Sequence, residues 1–214
     1  MTEPLRVALG LKAHSGWAAL VVLGDAKGRP AGGPGIEGRL ELVDRRRIEL
    51  VREDEADWAK QPYHAAEELK PAEARRIVER GIGSARRNAV REMRAAVERL
   101  EAGGHTIAGC AVPMGAPMPA WSVEEILAVH FRMHKAEGVL FREALAEAAT
   151  GCGLRLVAIP EKELIDHAAR ALMTPAGALQ RTIAALGKSA GPPWGKDQKD
   201  AALAAMVALL ARQP

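Results

Sequence analysis

The sequence predicts an α/β protein: a mixed five-stranded sheet with helices on both faces. Three observations carry that prediction. Short alternating or wholly apolar runs fill the first fifty residues, as strands do. Helical periodicity dominates from about residue 72. Two further apolar runs, after Gly103-Gly104 and after Gly151-Cys152-Gly153, then interrupt the helices. The element order βββαβαβα, with no internal repeat and no linker, describes one domain over residues 1–214.

Leu5, Val7, Leu9 and Leu11 alternate as a first strand, broken by the turn Lys12-Ala13-His14-Ser15-Gly16, and Trp17 to Leu23 is a second strand. Six glycines and two prolines over residues 24–38 mark a mobile loop. Arg39 to Val51 alternates again at both ends as a third strand, completing an antiparallel meander. Residues 52–71 are polar and irregular. A helix is expected over 72–102, with Gly81 and Gly83 suggesting a kink or two pieces. Thr106 to Val112 is a short buried strand. Ser122 with Glu125 forms a capping box for a helix running to about Thr150. Arg155 to Ile159 is the fifth strand. Helical pieces follow over 161–172 and 175–188, and after Gly191-Pro192-Pro193-Trp194-Gly195 comes a last helix over Lys196–Ala211.

Composition narrows the function. At 48% hydrophobic and 27% charged residues, the chain has enough apolar surface for a core and is not wholesale disordered. A net charge of +3 is far from histone-like. Aromatics are only 3%, too few for a long base-stacking platform, so the positions of the four tryptophans matter. The segment 72–102 carries eight Arg and five Glu, a surplus equal to the net charge of the whole chain. It reads as a solvated face laced with ion pairs or as a phosphate-facing patch. No run suits a membrane span and the N-terminus lacks a signal-peptide pattern, so a cytoplasmic protein is expected. Cys110 and Cys152, without a CxxC partner, read as reduced buried thiols, with a disulfide or a reactive thiol as the alternative.

Three antiparallel strands followed by alternating helices and strands is the element order of the ribonuclease H-like fold. Val7-Ala8-Leu9-Gly10-Leu11-Lys12 resembles the first strand of the RuvC-type Holliday-junction resolvases, which reads apolar-Gly-Ile-Asp-Pro-Gly. Lys196-Asp197-Gln198-Lys199-Asp200-Ala201-Ala202-Leu203 resembles the D-x-x-D-A-x-A helix closing that family, and Ala136-Glu137-Gly138 falls at its small-residue segment. The resemblance spans nearly the whole chain through short motifs. It implies clustered carboxylates holding two divalent metals, Mg²⁺ or Mn²⁺ ahead of Zn²⁺, and phosphodiester hydrolysis. Asp197 and Asp200 match the family's pair as metal ligands and catalytic residues. Position 12, where the first-strand aspartate belongs, is lysine, and the fourth strand has no acid near Ala111. Half of the carboxylate set is absent.

Other residues are candidates to replace it. His14 is either a catalytic group (a ligand or general base) or an exposed turn histidine. His130, His134 and Glu137, at i, i+4 and i+7, share one stripe beside Ile126, Val129, Met133, Ala136 and Leu140. They suit a Zn²⁺ or Mn²⁺ site, or else are hydrogen-bonded, half-buried side chains. His64 is a candidate for either set, whereas His105 and His167 read as surface residues. Lys12, Trp194 and Lys199 are the candidate phosphate- or nucleic-acid-binding residues. No GxxxxGK[ST], GxGxxG or GxSxG occurs.

The leading expectation is a RuvC-like nucleic-acid-processing protein, a metal-dependent nuclease with a rearranged site. The alternatives are an inactive nucleic-acid-binding or scaffold protein and a small-molecule hydrolase on the same fold. Nucleic acid is the expected partner, no membrane is expected, and a homodimer is a candidate assembly.

Overall fold

The computed structural model describes residues 4–26, 36, 38–53, 55 and 57–211. Most of the expected glycine-rich loop, residues 27–35 and 37, lies outside the described residues. The strands are β1 (Arg6–His14), β2 (Trp17–Asp25), β3 (Leu40–Glu49), β4 (Thr106–Met114) and β5 (Leu156–Pro160). They form one sheet in the order β3-β2-β1-β4-β5. The first three strands are antiparallel, β4 lies parallel to β1, and β5 parallel to β4. This is the mixed sheet of the ribonuclease H-like fold, and it matches the expectation from element order.

Pleat parity in β1 divides the molecule into two layers. Val7, Leu9, Leu11 and Ala13 enter a core with α2 (Pro71–Ala102) and α4 (His130–Gly151), whereas Ala8 enters the opposite core. That second core is built with α5 (Leu164–Ala171), α6 (Ala176–Ala190) and α7 (Lys196–Leu210). β2 is buried on both faces, which is why its sequence is a continuous apolar run rather than an alternation. In α7 every residue from Ala201 to Leu209 is buried, as expected of a helix apolar all round. Its alanines let it lie against the sheet directly over Gly10, where a Cβ would fall 1.9 Å from the Ala201 carbonyl oxygen.

Four local expectations are corrected. Lys12, Ala13 and His14 belong to β1, and the turn is only Ser15-Gly16, with His14 paired to Trp17 and Gly16 at φ +84°. The helix α2 runs unbroken through Gly81 and Gly83. Gly81 serves close packing instead, since a Cβ there would approach the Pro62 ring to 2.5 Å. The helix expected over 122–150 is two helices, α3 (Val123–Leu127) and α4, because Val129 is extended. The Ser122–Glu125 capping box is present at α3. His105 is not a plain surface residue: it is half-buried, and its Nδ1 accepts the Leu5 amide at 3.1 Å.

Both cysteines are free. Burial pushes the Cys110 thiol up to about 12, so it stays protonated and unreactive. Among the described residues no helix is long and apolar enough to cross a membrane.

Candidate functional site at the strand ends

β1, β4 and β5 point the same way, and their C-terminal ends meet α4 and the start of α7. Strand order reverses between β1 and β4, the kind of place where open α/β sheets leave a crevice. A cavity of about 230 Å³ opens there. Lys12, His14 and Ser15 line it from the first hairpin, Glu137, Phe141 and Arg142 from α4, and Glu161 from the turn after β5.

Lys12 is buried, and its ammonium contacts Glu161 Oε1. The other Glu161 oxygen accepts from Arg142 Nη2 at 2.6 Å. Burial lowers the Lys12 pKa from its ordinary 10.5; Asp200 and Asp197 oppose this, while Arg142 and Lys196 add to it. Burial likewise lowers Arg142, which nevertheless stays charged. One carboxylate therefore serves two cations, and the strand position where the resemblance implies an acid is positive.

Gly10, Lys12 and His14 continue the parity of Ala8, which sets His14 on the α7 side of the sheet. His14 Nε2 meets Asp197 Oδ1 at 2.8 Å. The imidazole stacks on its cross-strand partner Trp17, with ring centres 4.4 Å apart and planes within 9°. Arg47, diagonal to Trp17 on β3, holds its guanidinium 4.2 Å from the centre of the indole.

The remaining candidates divide among three places. Asp200 pairs with Lys196 at 2.5 Å. With Lys199 it lines a separate recess of about 360 Å³ between α6 and α7, beside Ile183 and Leu203. Trp194 packs over Gly187 and donates Nε1–H to the Ile183 carbonyl at 3.0 Å, so its edge is committed to the fold. Arg45 donates to the carbonyls of Gly191 and Pro193, clamping the turn that leads into α7. Glu137 reaches the main cavity, but its carboxylate is occupied: Oε2 accepts His64 Nδ1–H at 2.7 Å and Oε1 the His64 amide at 3.1 Å. His130 and His134 gather around His64 instead of entering the cavity.

Four of the eight arginines of α2 are engaged by neighbouring elements. Arg75 pairs with Glu124, Arg86 with Glu147 and Arg99 with Asp44, while Arg80 covers Trp58. This favours the ion-paired face over the phosphate patch for that helix.

The two-metal centre implied by the resemblance does not fit these residues. Asp197 is engaged by His14, Asp200 by Lys196 and Glu161 by two cations. Among the described residues, no three carboxylates bring oxygens within a metal's reach of one another. The sequence did not single out Glu161, Arg142 or Arg47. For Glu161 a signal existed: it follows a strand parallel to β1 and so falls at the same sheet edge.

The sheet order and strand directions are those of the ribonuclease H-like fold. No protein-family model matches the chain, and no curated protein sequence does. Among solved structures it is similar to RuvC of Thermus thermophilus, at 14% identity and a TM-score of 0.47, covering 94% of this chain and 92% of that one. A T. thermophilus RuvC in complex with Holliday junction substrate is similar at 12% identity and a TM-score of 0.48, covering 94% and 91%.

Proposed function

We propose that this RuvC-like chain binds nucleic acid through its strand-end cleft and the adjoining β3 edge, without two-metal hydrolysis in that cleft. One observation carries the reading: an arginine-covered tryptophan, Trp17 with Arg47, stands beside a cleft whose strand position is held by Lys12. Arg46 and Arg47 are exposed on β3, an edge strand, each paired with an acid of its own strand, Asp44 at 2.9 Å and Glu49 at 2.5 Å. A phosphate backbone would take their guanidinium donors in exchange for those partners. His14 covers one face of Trp17 and Arg47 the other, so the surface open to a base is the exposed guanidinium plane of Arg47. Lys12 and Arg142 set two cations against the single carboxylate of Glu161, a surplus of one positive charge for a phosphate.

A small-molecule hydrolase is less well supported. The cavity is smaller than the ~300–1,000 Å³ common for ligand pockets, and His134 does not line it. The His14–Asp197 contact does favour one second reading, hydrolysis with His14 as a general base oriented by Asp197.

Binding of four-way-junction, duplex and single-stranded DNA across a salt series tests the proposal. With about three phosphate contacts, affinity is expected to fall ~40-fold between about 50 and 200 mM salt. Arg47→Glu is expected to weaken binding about tenfold or more, and no cleavage should follow addition of Mg²⁺ or Mn²⁺. Absence of binding at low salt overturns the proposal. Cleavage abolished by Asp197→Asn replaces it with the nuclease reading.

A further inference from the structure

We infer that His64, His130 and His134 form a binding site for a zinc-class divalent cation, separate from the strand-end cleft and independent of any nucleic-acid function. His64 sits in α1 (Pro62–Ala65), and His130 and His134 occupy the first two turns of α4. Each offers one ring nitrogen, and the three donor atoms lie within 4.8 Å of one another. The two α4 nitrogens, both Nε2, are 3.0 Å apart. A tetrahedral ion with Zn–N bonds of about 2.0–2.1 Å needs donors roughly 3.3–3.4 Å apart. The His130–His134 pair is therefore close to the spacing an ion needs, and the His64 donor, within 4.8 Å of both, has to close by no more than about 1.5 Å.

The tautomers support the same conclusion. A carboxylate only accepts, so His64 Nδ1 carries the proton in its 2.7 Å contact with Glu137, and Nε2 presents its lone pair to the cluster. Glu137 is buried and grips the His64 backbone amide as well, which fixes the ring's position. Glu67 Oε1 stands 3.6 Å from His130 Nδ1, beyond hydrogen-bond reach, and adds a nearby negative charge, while His130 Nε2 faces His134. Imidazoles oriented by carboxylates in this way are a recurrent feature of metal sites. The two acids also oppose the positive end of α4 that an arriving cation would meet.

Three imidazoles with an open fourth position select a borderline cation such as Zn²⁺ over Mg²⁺, which prefers oxygen. Because His130 and His134 are exposed, that fourth position faces solvent. The ion would tie the short α1 to the start of α4, and Glu137 joins this site to the cleft, whose wall it also forms.

The test uses the full chain without an affinity tag. Equilibrium dialysis against Zn²⁺ is expected to give one ion per chain at micromolar concentration, unaffected by millimolar Mg²⁺. Co²⁺ is expected to give the visible absorption of a tetrahedral nitrogen site. His130→Ala/His134→Ala, at exposed positions that leave the core intact, is expected to abolish both signals while circular dichroism stays unchanged. Glu137→Gln is expected to retain the ligands but weaken binding about 10- to 100-fold. Failure to bind Zn²⁺ at micromolar concentration, or equal binding by the double variant, overturns the assignment.

Discussion

Alanine at position 10 is expected to destabilise the protein by about 3 kcal/mol or more, at or beyond the upper end of the usual overpacking range. The added methyl would meet backbone on α7: the Ala201 carbonyl oxygen at 1.9 Å and the Ala205 nitrogen at 2.5 Å. No side chain can rotate aside, so α7 must lift away from β1. That helix supplies much of the second core, and its first turn carries Asp197 to His14. Urea unfolding should show a lower midpoint. Any folded fraction should have lost the His14–Asp197 contact, visible as a changed imidazole resonance by NMR. A stability within about 0.5 kcal/mol of the parent protein, the usual range for an inconsequential surface change, would refute the packing of α7 on Gly10.

Glu161→Ala is expected to destabilise by about 2–4 kcal/mol, because removing one partner of a largely buried ion pair leaves uncompensated charge. Here two cations are stranded together, Lys12 with a side chain 9% exposed and Arg142 at 20%. Partial exposure of Glu161 itself, at 26%, keeps the effect below that of a fully buried pair. For a chain of this size the melting temperature should fall by about 2–4 °C for each kcal/mol. The same change frees both cations for an anion, so added phosphate or sulfate should recover much of the loss by binding only the folded state. DNA affinity should rise rather than fall. A variant that melts like the parent protein and gains nothing from phosphate would show that Glu161 does not restrain these cations.

The strands were legible because their sequence patterns report burial directly: β1 alternates in its first half, and β2, covered on both faces, is apolar throughout. The break before α4 was not, since Val129 and its neighbours keep helical periodicity across an extended residue. The extent of β1 was missed for a related reason. Lys12 and His14 look like turn residues, yet a strand end beside a cleft tolerates polar side chains that a strand centre would not. Within the candidate site, the sequence brought out His14 and Asp197 because the resemblance puts the end of the first strand beside the start of the last helix. It could not reveal Lys12 with Glu161, whose partners lie 149 residues apart, or show that Glu137 would face His64 rather than a metal in the cleft. Spacing along one helix specifies a stripe; what stands across from that stripe depends on the packing of other elements.

The stack of His14 on Trp17 also has an optical consequence. An excited indole gives up an electron readily to a protonated imidazole in van der Waals contact and far less readily to a neutral one. Emission from Trp17 therefore records the charge of the very ring that Asp197 holds. The other three tryptophans lie beside arginine or lysine side chains, which do not titrate near neutrality. The scarcity of aromatics thus leaves the chain with a nearly private fluorescent gauge on its strand-end cleft.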